Sequence, residues 1–268
     1  ERGDTDTTTG GTLTVTAGGS RVSGNAADIV ARIVTNEMGG SFPAEAVKAQ
    51  AVAAYTYVKY YNSIGQNPSV GLGSPSDKTK SLVNGVIGQT VRYNGALCLA
   101  TYCAYNSGYT ASAKSVWGGS GYSYLISKYS SYDDDYNGPA GTTTKISAGT
   151  VQSKLENALN ISLDDVVPED WFDILSWHDD TNYVNQVRIG GQKTITARTL
   201  RESILGPANL RSTDFEVEYD SGSDKFVFVT RGYGHGVGMS QQGAKLMAQD
   251  GWNYVDILEF YFDGATVS

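Results

Sequence analysis

Only two cysteines, two histidines and six prolines occur in 268 residues, and charged side chains make up 18%. Each scarcity excludes something. Two cysteines cannot build a multi-bridge disulfide framework, and they are a poor basis for a zinc site, which wants four ligands. Cys98 and Cys103 lie in a run that reads as one strand. Five residues of strand span roughly 16 Å, beyond the ~7 Å that bridged Cα atoms tolerate, so two buried thiols are expected. His178 and His235 are far apart in sequence, and a turn histidine at 178 reads as a surface group. No metal or cofactor is expected, with zinc as the alternative. No apolar run is long enough to cross a membrane as a helix. The net charge of −8 and pI near 4.8 argue against tracking a phosphate backbone, so no nucleic-acid partner is expected.

What is abundant is glycine, at 32, and tyrosine, at 18. That balance suits a globular, loop-rich chain. Tyrosine offers an apolar plane with a polar tip, which fits the faces of sugars. The beginning, Glu1-Arg-Gly-Asp-Thr-Asp-Thr-Thr-Thr, reads as a truncated linker, so an export or anchoring segment is expected upstream of this chain. Residues 1–20 are expected to be a flexible arm, although Thr12 to Thr16 alternates like a short edge strand.

The strongest local signal is Gly39 to Tyr61. Pro43 sits where a first helical turn would begin, with Ser41 or Phe42 as cap. Six alanines follow between Ala44 and Ala54. Alanine is the best helix former and lets neighbours come close, so this reads as a buried central helix. Glu45 lies in its first turn. There a carboxylate either complements the positive helix end, worth roughly 0.3–1 kcal/mol, or stands on the floor of a cleft.

Around this helix the chain alternates hairpins and short helices. Asn25 should cap a helix, with Asp28 three positions on, carried by the Ile29/Ile33 and Val30/Val34 spacing and ended by Gly39. Ser63 to Gly88 reads as loop. Asn94-Gly95 should turn a hairpin between 89–93 and 96–103. Asp133-Asp134-Asp135 reads as a solvated loop, with no closing glutamate for calcium. Two helical patterns, Val151–Leu159 and Pro168–Trp177, follow. Tyr183–Ile189 and Lys193–Thr196 should pair across Gly190-Gly191. Thr196 should cap a helix running to Leu205, and Phe215–Tyr219 should pair with Lys225–Val229. Arg231 to Ala244, Arg-Gly-Tyr-Gly-His-Gly-Val-Gly-Met-Ser-Gln-Gln-Gly-Ala, is glycine-rich but lacks the Lys-Ser/Thr ending of a phosphate loop. Short helices over Ala244–Asp250 and Val255–Phe262 end the chain.

Two of these stretches carry a resemblance. Phe42-Pro-Ala-Glu-Ala-Val-Lys-Ala-Gln-Ala-Val-Ala-Ala-Tyr-Thr-Tyr57 and Gly232-Tyr-Gly-His-Gly-Val-Gly-Met-Ser-Gln-Gln-Gly-Ala244 closely resemble the two signatures of the stage II sporulation protein D family, which includes the amidase-enhancer wall proteins. Ser107-Gly108 and Thr110 match a Ser-Gly-Gly-x-Thr-like loop, with Tyr109 in place of a glycine, and the ending Tyr261-Phe-Asp-Gly-Ala265 stands where a Tyr-Tyr-Pro-Gly-like run is usual. The resemblance covers nearly everything from residue 21 onward.

It implies an α+β domain over 21–268, with antiparallel hairpins around a buried Ala-rich helix and a variable helical insertion at about 128–182. It implies a peptidoglycan lytic transglycosylase that cuts the MurNAc–GlcNAc bond of glycan strands stripped of stem peptides. The glutamate at the matching position, Glu45, is then the catalytic acid, and Gln50, Ser107, Thr110, Tyr233, His235, Ser240 and Gln241 become candidates for substrate contact in one groove. Ser107 and Thr110 could equally make a turn with their own backbone. Glu37 either supports the site or is a surface carboxylate. Tyr55 stands where the family usually has arginine, which makes a binding module without chemistry the alternative. General-acid work wants a raised carboxyl pKa, so burial is expected to outweigh the helix end at Glu45. The implied partners are glycan strands and a cell-wall amidase, and the implied location is outside the cytoplasm.

Overall fold

In chain order the computed structural model runs β1 (Thr12–Ala17), β2 (Ser20–Asn25), α1 (Ala26–Met38), α2 (Ala44–Ser63), α3 (Asp77–Asn84), β3 (Val91–Tyr93), β4 (Ala96–Leu97), β5 (Tyr102–Cys103), α4 (Ala113–Trp117) and α5 (Ser131–Asn137). It continues with β6 (Thr142–Ser147), α6 (Ala148–Leu159), β7 (Phe172–Trp177), β8 (Val184–Ile189), β9 (Lys193–Thr196), α7 (Ala197–Thr199), β10 (Asp214–Asp220), β11 (Lys225–Arg231), β12 (Met239–Ser240), α8 (Gln241–Gln249), α9 (Tyr254–Tyr261) and β13 (Thr266–Val267). Residues 10–39, 41–137, 141–178 and 181–268 are described. The fold is α+β, with small antiparallel sheets. The chain divides into two compact units, one of residues up to 102 with 121–125 and 241–268, the other of 103–120 with 126–240. The segment 128–182, expected as a variable helical insertion, falls within the second unit.

The first unit is built on α2. Alanine is the commonest residue among its buried positions: Ala46, Ala49, Ala51, Ala53 and Ala54 are each at most 1% exposed. Without bulk on those faces, α1, α3, α8 and α9 all pack against it. Helix α1 begins as its sequence demands, with the Asn25 side chain accepting from the amides of Ala27 and Asp28 and Gly39 closing the end. Helix α2 begins one residue later than expected: Pro43 is itself the cap position, and Ala44 is the first helical residue. β1 and β2 form a hairpin with Leu13 and Val15 buried. The expected arm is thus folded from residue 12, while its first nine residues lie outside the described residues.

The second unit holds two three-stranded sheets, β10-β11-β6 and β7-β8-β9. They share a core with α6 and the segment Leu200–Leu210, in which Trp171 stacks on Phe226 with centroids 5.3 Å apart. The Thr196 cap and the β8–β9 and β10–β11 pairings match their patterns.

Three expectations are corrected. The polar run 63–88 contains α3, because Ser76 accepts from the Thr79 amide and caps a helix there. Pro168–Trp177 is a single 3-10 turn and then strand β7, whose exposure alternates residue by residue. Trp171, Ile174 and Leu175 have the i, i+3, i+4 spacing of a helix, while Phe172 and Ile174 have the two-residue spacing of the strand that forms, which is why the pattern misleads. Asp133 is not in a solvated loop: it is fully buried on α5.

The hairpin at Asn94-Gly95 forms, but its second strand stops at Leu97, so the cysteines do not share one strand. Both thiols are nevertheless free and buried. Burial pushes each up to about 12, reinforced at Cys103 by the charge of Asp133 and eased at Cys98 by Arg92. Since the thiolate is the nucleophile, the native protein should resist iodoacetamide at pH 8, and both thiols should react after unfolding in guanidinium. Mass spectrometry of the alkylated chain checks this, and rapid native labelling would contradict it.

Candidate functional site

Glu45 is fixed through both carboxylate oxygens. Oε1 accepts from Lys48 Nζ at 2.7 Å, one turn along α2. Oε2 accepts from the Tyr254 backbone N–H at 3.0 Å. Tyr254 is the first residue of α9, whose cap is Asn253. One carboxylate thus meets the heads of two helices, where unpaired N–H groups concentrate positive potential. Its side chain remains 31% exposed. Burial pushes the carboxyl up, but the hydrogen bonds from Lys48 and from the Tyr254 amide, with the Lys48 charge, outweigh it and hold Glu45 below the ordinary value. This reverses the expectation that burial would win.

Gln50 and Gln241 meet each other rather than Glu45. Gln241 Nε2 lies 3.4 Å from Gln50 Oε1 and 3.4 Å from Glu37 Oε2. At 3.6 residues per turn, positions 45 and 50 stand roughly 140° apart around α2. Gln50 is fully buried, and its Nε2 has no hydrogen-bond partner. Glu37 is therefore a member of the glutamine cluster. Tyr55 is buried and donates to the Gly10 carbonyl at 2.8 Å while accepting from Lys59 at 3.2 Å. It ties the start of the described chain to α2.

In the second unit the glycine-rich motif lies against the 105–111 loop. Tyr105 and Tyr233 exchange backbone hydrogen bonds, and the Ala111 amide donates to the Gly236 carbonyl. Gly236, at φ +75°, has no room for a side chain: a Cβ there would stand 2.5 Å from the Tyr183 hydroxyl. Most of the expected ligand-binding hydroxyls turn out to be internal. Thr110 is 1% exposed, donates to the Ile126 carbonyl and accepts from the Lys128 amide. Ser107 is buried, and its amide donates to the Tyr183 hydroxyl. Ser240 is buried and donates to Asp133. These three residues build the loop. Tyr233, 37% exposed under the Arg211 guanidinium, and the half-buried His235 are the ones that reach open space. His235 Nδ1 accepts from the Val237 amide, so its neutral form carries the proton on Nε2.

The residue that organises this loop was missed. Asp133 also accepts from the Ser130 hydroxyl at 2.7 Å, the Asn106 side chain at 3.2 Å and the Asn106 amide at 3.4 Å. A run of three aspartates gives no hint that the first is buried. Lys48 was also missed, though its i,i+3 spacing from Glu45 is a legible pairing signal.

Asp214 is a second buried carboxylate, 2% exposed, with Oδ2 unpartnered and Arg231 at 3.8 Å from Oδ1. Burial raises it to about 6, against the lowering effects of the Ser107 hydroxyl and Arg231, with Glu216 adding to the rise. Its ordinary value is 3.8. The native state therefore holds an extra proton between these values, and the stability this group contributes is present below pH 4 and lost as pH rises through 6. Asp214→Asn should abolish that slope, with a relative gain on the order of 3 kcal/mol from pH 4 to pH 7. Urea midpoints at pH 4 to 7 read it directly; a wild-type midpoint that rises relative to the variant over that range would contradict the assignment.

Comparison with known proteins bears on what these clusters serve. A family model described as "Stage II sporulation protein" matches residues 24–115, which include α1, α2 and Glu45. The chain is 29% identical over 293 residues to the amidase enhancer of Bacillus subtilis (strain 168), covering 88% of this chain and 40% of that longer protein. It is 30% identical over 269 residues to stage II sporulation protein D of the same organism, covering 90% of this chain and 74% of the relative. The corresponding protein of Bacillus amyloliquefaciens is 28% identical over 268 residues, covering 90% and 73%. With likeness running through both units and across most of a relative's length, the chain belongs to the stage II sporulation protein D family.

Proposed function

We propose that this chain is a peptidoglycan lytic transglycosylase that uses Glu45 as its one acid/base. The observation that carries the reading is a partly exposed carboxylate, held on both oxygens at the head of a buried helix, in the motif that the family model matches. An ordinary glycosidase needs two carboxylates. A lytic transglycosylase needs one, because the sugar's own C6 hydroxyl is the nucleophile. Protonated Glu45 gives its proton to the oxygen between MurNAc and GlcNAc as that bond breaks. The C6 hydroxyl closes on C1, sheltered until then by the 2-acetamido group, and its proton returns to the Glu45 carboxylate. The product is a 1,6-anhydro end. The site of action would be the wall outside the cytoplasm.

The lowered pKa shapes the mechanism. Free Glu45 is an anion at neutral pH, so the acid form must be favoured by the substrate itself. A glycan lying over the carboxylate excludes water and draws Lys48 away, and both effects raise the pKa. The Tyr254 N–H favours the anion that the first step leaves behind. The profile of kcat/KM reports the free enzyme, so its fall with rising pH follows Glu45. Lys48→Met removes the main cation, lifts Glu45 and should move that fall to higher pH. A limb that stays in place or moves down would count against Glu45 as the acid.

A second reading is favoured by the same ion pair. A carboxylate already anchored by a lysine and an amide suits a wall-binding module that stimulates an amidase without chemistry of its own, as the name of one relative suggests. Mass spectrometry of denuded strands incubated with the wild type and with Glu45→Gln separates the readings. Anhydro ends from the wild type alone are the expected result. Reducing ends mean hydrolysis and a second carboxylate, with Glu37 the first to test. Retained but uncut strands favour the module.

A further inference from the structure

The second unit contains a cavity of about 350 Å³ whose wall includes both histidines of the chain, His178 and His235, together with Arg198, Arg201 and Glu202. A second cavity of about 460 Å³ shares Ser115, His178 and Asn185 with it and adds Lys114 and Trp177. Both volumes fall in the range of ligand pockets, about 300–1,000 Å³.

Among the described residues that line the first cavity, cationic side chains outnumber carboxylates. Arg198 Nε donates to Glu202 Oε2 at 2.9 Å, and Arg201 Nη1 lies 3.6 Å from Glu202 Oε1. One carboxylate therefore serves two guanidinium groups. Arg201 is only 7% exposed, and its Nε is occupied by the Arg211 carbonyl at 3.0 Å. A buried guanidinium with half a counter-ion lowers its free energy by taking another anion, and its planar fork matches a carboxylate. Lys114 adds a further positive charge to the adjoining cavity. This collects cations within a chain whose net charge is −8. Trp177, in the second cavity, is 53% exposed, an unusual position for an indole. An exposed aromatic plane beside hydroxyl and amide groups is what a sugar ring stacks on.

We propose that the paired cavities form a subsite for a carboxylate-bearing sugar, with the carboxylate held at Arg201 and Arg198 and the ring lying on Trp177. The inference rests on the wall-glycan reading above for its choice of sugar: a muramic residue without its stem peptide carries a free lactyl carboxylate. A stem peptide would turn that group into an uncharged amide. The subsite therefore selects stripped strands by their charge.

The test is titration of the full chain with N-acetylmuramic acid and, in parallel, N-acetylglucosamine, which lacks the carboxylate. Binding is followed by calorimetry and by the Trp177 indole N–H in NMR. Hydrogen bonds to a charged group contribute about 1.5–3 kcal/mol, so N-acetylmuramic acid should bind at least about tenfold tighter. Arg201→Lys, which keeps the charge but loses the fork, should weaken N-acetylmuramic acid alone. Arg198→Gln, at an exposed position, does the same if the buried variant misfolds. Trp177→Ala should weaken both sugars. Equal affinity for the two sugars, or full retention of binding in both the arginine and the tryptophan variants, overturns the subsite. Anhydro products formed without selective binding remove the subsite and leave the lytic function. Selective binding without any anhydro product does the reverse.

Discussion

Close approach to helix α2 is the constraint on which the first unit depends. A helix that must touch α1, α3, α8 and α9 needs small residues where they come close, and its sequence supplies alanine at five buried positions. The approach of α9 is what delivers the Tyr254 amide to Glu45. A bulkier residue on that rod would move the partner helix and, with it, half of the carboxylate's setting. Packing and electrostatics are thus linked here: the seat of α9 brings the Tyr254 amide to Glu45, where it joins Lys48 in holding the group as a carboxylate.

That charge state separates two ideas that motif reading tends to merge. A glutamate in a first turn, next to small apolar neighbours, invites a picture of a dry, protonated acid. The structure instead gives it a lysine, an amide and partial solvent access. Desolvation is real but smaller than the sum of those interactions. In the free protein the group is therefore a carboxylate at neutral pH.

The second unit solves a different problem. Its glycine-rich motif must lie flat against the 105–111 loop, and glycine at 236 is required because Tyr183 stands where a side chain would go. Polar groups are consequently trapped, and Asp133 collects hydrogen bonds from Ser130, Asn106 and Ser240. A carboxylate accepts several donors at once, which a neutral side chain of that size cannot. The serines and threonine of the motifs become internal struts, while Tyr233, His235 and the arginines behind them keep contact with open space.

Much of this was legible in the chain itself. Asn25, Thr196 and the Gly190-Gly191 turn act through bonds to residues two to four positions away, so their patterns carry over directly. The alanine run announces a crowded helix for the same local reason, and two motifs identify the family. Tertiary structure alone decided the rest. Whether Pro168–Trp177 is helix or strand depends on the sheet waiting for it, since its apolar spacing fits both. Whether Asp133 is solvated depends on Asn106 and Ser240, 27 and 107 residues away in sequence. How firmly Glu45 is held as a carboxylate depends on Lys48 beside it and also on Tyr254, 209 residues on. Burial and electrostatics are sums over neighbours in space, and a sequence states directly only its neighbours along the chain.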